Sequence, residues 1–234
     1  FYLHADAISK KSSLYEELIP TRDYFFRYDR GAFWMGTYGF RVLRMPFNRL
    51  TRFLFNPFLK TRELYQSLHS ADFSQRYVIQ DIGVPKQSAA GLLRYVADVL
   101  KIYPIWFVPL RVATKEKLAA SFLKTDLVIS VGVWGEANEE YARFVEINRA
   151  LEKEISRLGG RKWLYAHQYY TLEEFWNLYD QTPYYVLRTK YFADKVFPDV
   201  FDKTKVSEKY EPSVLRGIWK NLLHSLKLSG KVGE

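Results

Sequence analysis

The order of six apolar segments between Phe73 and Tyr169 constrains the fold of this chain more than any other feature of the sequence. Four of them have the alternating or continuous apolar pattern of β-strands, at 73–84, 103–109, 126–134 and 163–169. The other two have apolar residues at helical spacing, over 85–100 and 138–158, and the second ends at two glycines. The predicted order is therefore strand, helix, strand, strand, helix, strand.

This βαββαβ order is typical of ferredoxin-like folds, in which both helices cover one face of a four-stranded antiparallel sheet. We therefore predict an α+β fold with a ferredoxin-like βαββαβ sheet, helices on one face, and helical extensions at both ends. The interpretation divides the sequence into a basic, aromatic-rich connection at 1–70, a ferredoxin-like core at 71–170, and a helical C-terminal extension at 171–234.

Finer local patterns complete the prediction. The residues before 47 predict extended and looped structure, whereas 47–59 and 61–69 have helical spacing, with an interruption at Asn56-Pro57. The sequence of Thr171 to Glu174 is that of a capping box. Another helix is predicted to begin at Thr182-Pro183, and an amphipathic one to cover 214–226.

Composition narrows the classes of function. The absence of cysteine excludes disulfides, thiolate metal sites and cysteine nucleophiles. Aromatic residues make up 18% of the sequence, and its net charge is +9. Nine basic and two acidic residues lie between Pro20 and Arg62, so this segment alone carries +7. Such a charge admits a nucleic acid, an anionic membrane surface or an anionic cofactor. No segment approaches the ~20 apolar residues that cross a bilayer.

The last predicted strand suggests a functional surface. Alternation would place Trp163, Tyr165, His167 and Tyr169 on one face of the sheet, beside Trp134 of the preceding strand. Imidazole titrates near neutral pH, which makes His167 a candidate proton donor. These rings could equally pack on another part of the protein.

Two classes of ligand suit an aromatic sheet face. Single-stranded RNA could stack on it, but the predicted strand at 126–134 has no basic residue and begins with an acid, which argues against this alternative. A flat conjugated cofactor with an apolar substrate is the other. Neither G-x-G-x-x-G nor G-x-x-x-x-G-K-[ST] is present, so another part of the molecule would hold any dinucleotide. Four scattered histidines make a metal site improbable, and no hydrolase elbow motif is present.

The sequence also resembles a known family. Five groups of residues carry the resemblance: IPTRDY at 19–24 with RYDRGAFW at 27–34, YPIW at 103–106, GVWGE at 132–136, LYA at 164–166 with EEFW at 173–176, and FPDVFDK at 197–203. They are similar to the C-terminal part of the Δ24-sterol reductases, which are FAD-linked oxidoreductases of the vanillyl-alcohol-oxidase type.

The resemblance implies that this chain is a cap that covers the flavin and shapes the substrate pocket, and that it connects to an FAD-binding domain of the same parent protein. The parent would reduce a C=C bond in the side chain of a sterol, with NADPH reducing FAD. The implied partners are the FAD domain and an apolar sterol-like substrate, with a possible membrane surface, and with no metal or nucleic acid. The implied location is intracellular and membrane-associated, at the endoplasmic reticulum in a eukaryote. An FAD-linked oxidase or dehydrogenase of another apolar substrate is the alternative.

The resemblance makes Tyr165 the first candidate proton donor, because it lies in the LYA group and on the aromatic sheet face. His167 stays the second candidate on its imidazole alone, since the family pattern has no histidine at that position. The candidates that would face substrate or flavin are Trp106, Trp134, Trp163, Tyr169, Arg27 and Arg30. The candidates for contact with a membrane or with the FAD domain are Arg44, Arg49, Arg52, Phe53 and Phe58.

Overall fold

A computed structural model describes residues 2–22, 30–112, 123–137, 139–209 and 211–213, together with Leu215 and Trp219. The protein forms two compact units. The first consists of Phe1–Ser74 with Tyr210–Glu234, and the second of Gln75–Lys209. The three-part division predicted from the sequence stays a prediction, and the helix predicted over 214–226 lies outside the described residues except for Leu215 and Trp219.

Helices make up the regular structure described in the first unit. They are α1 (Tyr2–Ser9), α2 (Gly36–Val42), α3 (Arg49–Phe55) and α4 (Thr61–Ser70), with a 3₁₀ turn at Asn56–Phe58. The helices predicted over 47–59 and 61–69 are thus confirmed, including the interruption at Asn56-Pro57.

The prediction of extended structure before residue 47 is wrong for α1 and α2. In α2, Phe40 is almost fully buried and its ring packs edge-on against Phe47 and Phe55, at centroid distances of 5.2 and 6.1 Å. These contacts join residues up to fifteen positions apart. The packing that stabilises α2 is therefore not visible in the local sequence pattern.

The second unit contains the predicted sheet. Its strands are β1 (Tyr77–Pro85), β2 (Ile105–Arg111), β3 (Leu127–Glu136) and β4 (Arg161–Lys162), in the order β2-β3-β1-β4. All three neighbouring pairs are antiparallel. Between strands lie α5 (Ala89–Tyr95), which continues as a π-helical turn over Val96–Leu100, and α6 (Tyr141–Arg157). The α+β class and the βαββαβ order are confirmed.

One face of the sheet forms the main core. Val78, Ile82 and Val84 of β1 alternate toward this face and are at most 1% exposed. They pack in one cluster with residues of β3 and with Leu92 of α5 and Leu151 of α6. Both helices therefore cover this face of the sheet, and the alternate residues of the strands point to the other face.

The predicted strand at 163–169 is wrong, because β4 ends at Lys162. The amide of Trp163 still donates to Asp81 O of β1 at 2.9 Å, but the main-chain groups of His167 and Gln168 have partners outside the ladder. The carbonyl oxygen of His167 accepts hydrogen bonds from Lys162 Nζ and Gln80 Nε2, at 2.9 and 3.1 Å. The amide of Gln168 donates to Thr204 O at 3.0 Å, and its carbonyl accepts from Val206 N at 3.1 Å. Since these bonds satisfy the backbone, the polypeptide leaves the ladder after two residues.

Three helices follow this segment: α7 (Leu172–Leu178), α8 (Gln181–Lys190) and α9 (Val200–Thr204). The predicted capping box is confirmed, since Thr171 Oγ1 accepts from Glu174 N and the Glu174 carboxylate accepts from Thr171 N. A second, smaller core of Tyr170, Phe175, Tyr179 and Phe201 holds α7 and α9 together.

Candidate functional site

The face of the sheet opposite the helices carries a carboxyl group among rings. The register pairs Asp81 of β1 with Gly132 of β3, and Gly132 in turn with Trp106 of β2. Trp134 follows two residues later in β3 and so points to the same side. The segment after β4 adds Trp163 and Tyr165. We call Trp106, Trp134, Trp163 and Tyr165, with Asp81, the aromatic face.

Asp81 links two of these rings. Its Oδ1 accepts a hydrogen bond from Trp134 Nε1 at 3.1 Å, and its Oδ2 accepts one from the Tyr165 hydroxyl at 2.5 Å. Burial raises the pKa of the Asp81 carboxyl above its ordinary value, whereas the bonds from Tyr165 and Trp134 oppose that rise. Half-exposed Tyr165 thus lies against a partly desolvated acid.

Small residues of β1 and β3 let the rings approach the strands. Trp163 Nε1 donates to Ser130 Oγ at 3.2 Å, and its ring lies over Gly83, where a Cβ atom would be 3.3 Å from a ring carbon. A Cβ at Gly132 would lie 2.6 Å from Asp81 Oδ1 and 2.9 Å from Trp106 Cβ. Glycine at this position therefore allows Asp81 and Trp106 to share one surface.

The structure brings together four of the predicted candidates, Trp106, Trp134, Trp163 and Tyr165. It does not bring Tyr169 to them. The Tyr169 ring packs edge-on against Phe144 of α6, at a centroid distance of 6.1 Å, and belongs to the core under the helices. The predicted common orientation of the four residues from Trp163 to Tyr169 is wrong because they do not form a strand.

The remaining predicted candidates for the site are His167, Arg27 and Arg30. The main-chain carbonyl of His167 helps to hold the segment after β4 in place. Arg27 lies outside the described residues, and Arg30 belongs to the first unit. Asp81 was missed in the sequence, although a carboxylate in the middle of an apolar strand was a visible signal.

A buried ion pair supports the segment that carries Trp163 and Tyr165. Lys162 Nζ contacts Glu152 Oε1 at 2.8 Å, and each of the two residues has a side chain only 1% exposed. The same carboxylate oxygen accepts from Tyr169 N at 2.8 Å. Burial lowers the pKa of Lys162, and the negative charge of Glu152 opposes that effect. The segment is thus anchored at both ends by Glu152 of α6.

A second cation links α6 to α7. Arg149 donates to both carboxylate oxygens of Glu174, at 2.7 and 2.8 Å, and also to Tyr169 O at 2.9 Å. The hydrogen bonds from Arg149, with help from Thr171, lower the pKa of the Glu174 carboxyl to about 2. Because Glu174 also forms the capping box, one carboxylate fixes the start of α7 and its contact with α6.

The predicted docking residues occupy an exposed part of the first unit. Arg49, Arg52 and Phe53 lie in α3, Phe58 lies in the following 3₁₀ turn, and Arg44 precedes both. No residue of α3 is buried, and Phe53 and Phe58 are 77% and 68% exposed. We call residues 44–58 the basic aromatic segment.

The helix in this segment is fixed by local interactions. The side chain of Asn48 accepts from Thr51 N, while Thr51 Oγ1 accepts from Asn48 N, which together form a capping box. The Arg52 guanidinium lies 5.2 Å from the Phe47 ring centroid. Exposed apolar and basic side chains therefore sit on a preformed helix.

Two features are absent from the described part of the protein. No helix there is both long enough and apolar enough to cross a membrane. No group of three or more histidine, aspartate or glutamate side chains is placed there to hold a metal ion.

Comparison with known proteins identifies relatives of this protein. It is 28% identical over 209 residues to the Delta(24)-sterol reductase of Homo sapiens, and the match spans 87% of this chain and 40% of the relative. The Delta(24)-sterol reductase homolog dhcr-24 of Caenorhabditis elegans is 27% identical, over 87% of this chain and 39% of the relative. The Delta(24)-sterol reductase of Arabidopsis thaliana is 26% identical, over 92% of this chain and 42% of the relative.

The chain spans about two fifths of the length of the curated relatives it matches. No protein-family profile and no solved structure matches it. The resemblance predicted from the five groups of residues is confirmed: over most of its length, this chain is Δ24-sterol reductase-like, and its relatives are oxidoreductases.

Proposed function

We propose that this chain is the substrate-binding cap of an FAD-dependent reductase that reduces a C=C bond in the side chain of a sterol. The similarity to Delta(24)-sterol reductases along most of the sequence supports the reaction class. Because the match spans only about two fifths of those relatives, the proposal assigns FAD binding mainly to a domain outside this chain. NADPH is the proposed source of electrons.

The aromatic face fits a planar ring system. Its tryptophan rings lie close to the strands because Gly83 and Gly132 have no side chain. Aromatic surfaces of this kind stack on conjugated rings. When bound there, reduced flavin would supply the hydride. The residues described above would cover the ring, exclude water, and hold a proton at the Tyr165 hydroxyl.

The observation that carries this proposal is the position of the Tyr165 hydroxyl, which lies on the aromatic face and donates a hydrogen bond to the Asp81 carboxyl group. We expect Tyr165→Phe, in the enzyme assembled with its flavin-binding domain, to lower turnover by roughly 100-fold with little change in substrate binding. The matched control is Tyr191→Phe, because Tyr191 is also an exposed tyrosine of the second unit. Near-normal turnover of the Tyr165 variant would remove Tyr165 from this role.

The substrate class needs a separate assay. A sterol with an isolated alkene in its side chain, supplied with NADPH under anaerobic conditions, should yield the saturated product. Oxygen-dependent or dye-dependent turnover of another apolar substrate, without alkene reduction, would instead identify an oxidase or dehydrogenase.

We also propose that the basic aromatic segment contacts an anionic membrane surface, and that the protein works inside the cell at such a membrane. Exposed Phe53 and Phe58 could enter the headgroup region while arginines contact lipid phosphates. Each basic residue near such a surface contributes about 1 kcal/mol. Replacing Arg44, Arg49 and Arg52 by glutamine should therefore weaken binding to phosphatidylserine-containing vesicles by roughly 100-fold.

Vesicle flotation of the protein tests this contact. The control is the double change Arg143→Gln and Arg157→Gln, which removes exposed arginines from α6. Equal flotation of both variants would contradict membrane contact. Loss of binding to the flavin-binding domain in the triple variant, with flotation unchanged, would assign the segment to domain docking.

A further inference from the structure

Asp81 and Tyr165 form a pair on the aromatic face of the second unit. These residues are 84 positions apart, and their oxygens meet at 2.5 Å on the face of the sheet that the helices leave uncovered. Asp81 Oδ1 is occupied by the Trp134 indole, so the carboxyl group is held in a fixed orientation. A charged group in an apolar strand needs such partners to be tolerated.

The pair has two hydrogen-bonding states. When Asp81 is ionised, the single hydrogen of the Tyr165 hydroxyl points to Oδ2, and the phenol can offer only lone pairs to a ligand. When Asp81 carries a proton on Oδ2, the carboxyl donates to the phenol oxygen. The phenol hydrogen is then released from Asp81 and can point toward a ligand on the aromatic face.

We propose that Asp81 is a positioning residue that supplies the proton which Tyr165 delivers to the substrate. This inference rests on the proposed function. In the proton-transfer step, the Tyr165 O–H bond breaks and a C–H bond forms at the substrate carbon. The Asp81 O–H bond breaks at the same time, and its proton goes to the phenol oxygen. Asp81 is left as a carboxylate and regains a proton from water. Hydride comes from the reduced cofactor of the proposed function.

The surroundings of Asp81 favour this cycle. Burial raises its pKa, and covering the face with a ligand would remove more water and raise it further. The strands packed beside it place few charges nearby. The neighbouring strand residues are uncharged: Gly132 and Ser130 of β3, and Trp106 of β2. Two charged residues lie further along the ladder, Glu136 of β3 opposite Tyr77 and Arg161 of β4 opposite Gly83.

The first test uses this chain alone and needs no cofactor. The indole N–H resonance of Trp134 reports on Asp81 Oδ1, and Trp134→Phe assigns it. We expect this resonance to titrate with one midpoint above the ordinary aspartate value and to stop titrating in Asp81→Asn. Tyr165→Phe should raise the midpoint, because it removes a bond that stabilises the carboxylate. Tyr191→Phe is the control. An unchanged midpoint in Tyr165→Phe would overturn the pairing.

The second test uses the enzyme assembled with its flavin-binding domain. Turnover of the wild type should fall as pH rises through the pKa of Asp81, because the protonated acid is the active form. Asp81→Asn keeps a donor to the phenol but has no proton to give, so kcat should drop by roughly 100-fold and lose that pH dependence, with KM unchanged. A normal kcat, or an unchanged pH profile, in Asp81→Asn would overturn the proton supply.

The two tests separate the two ideas. If the assembled enzyme reduces no alkene while the indole titration behaves as described, the proposed function fails and the coupled pair stands as a property of the face. If the enzyme reduces alkenes and Asp81→Asn is fully active, the proposed function stands and this inference fails.

Discussion

Replacing Lys162 by methionine tests how the segment that carries Trp163 and Tyr165 is held. Lys162 is fully buried and contacts both the Glu152 carboxylate and the His167 carbonyl. Methionine fills a similar volume but leaves Glu152 as a buried negative charge, with Arg149 at 3.4 Å as its remaining ionic partner. Breaking a buried pair in this way typically lowers the free energy of unfolding by ~3–5 kcal/mol. We expect a loss in that range for Lys162→Met.

Urea denaturation followed by tryptophan fluorescence measures this loss. The control is Arg143→Met in α6, whose pair with Glu146 is exposed, and which should lower the free energy of unfolding by less than ~1 kcal/mol. Adding Glu152→Gln to Lys162→Met removes the buried charge while keeping an acceptor for Tyr169 N, so stability should partly return. A Lys162→Met variant as stable as the control, or further destabilised by Glu152→Gln, would refute this reasoning.

Two further predictions concern α7 and the aromatic face. Arg149 holds the pKa of Glu174 at about 2 instead of 4.5, so the charged pair stabilises the fold above pH 4.5 and loses this effect as pH falls toward 2. Glu174→Gln should therefore reduce the fall of the urea midpoint with decreasing pH. A fall as steep as that of the wild type would contradict this prediction. In Gly132→Ala the new Cβ atom should push Asp81 away from Trp134, lower the free energy of unfolding by ~1–3 kcal/mol and change the near-ultraviolet circular dichroism spectrum. Gly39→Ala is the control, because a Cβ atom there would have no neighbour within 4 Å, and it should cause none of these changes.

The sequence predicted the sheet where the pattern is local. β1, β2, β3 and α6 appear there as alternating, continuous or helically spaced apolar residues, and the capping box at Thr171 is a four-residue motif. Their predicted bounds shift by a few residues at most, except at the start of β1, where a 3₁₀ turn at Ser74–Arg76 precedes the strand. Local periodicity is sufficient for such elements because it decides which face is buried.

The candidate site could be predicted only in part. Trp134, Trp163 and Tyr165 were identified correctly as neighbours, but for the wrong reason, since the segment after Lys162 is not a strand. Its path depends on side chains of α6 and β1, from Glu152 and Gln80, that are distant in sequence. The partner of Tyr165 was missed for the same reason: nothing near position 165 indicates Asp81.

The short length of β4 has a consequence for how the aromatic face can open. Only two residues of β4 pair with β1, whereas Lys162 and Tyr169 both depend on one oxygen of Glu152. A single rotation of the Glu152 carboxylate would break both of these bonds at once, whereas the His167 carbonyl, the main chain of Gln168 and the Tyr169 carbonyl would keep their other partners. A change at Glu152, on the helical side of the sheet, should therefore loosen Lys162 and Tyr169 together, while the ladder from β2 to β1 remains intact.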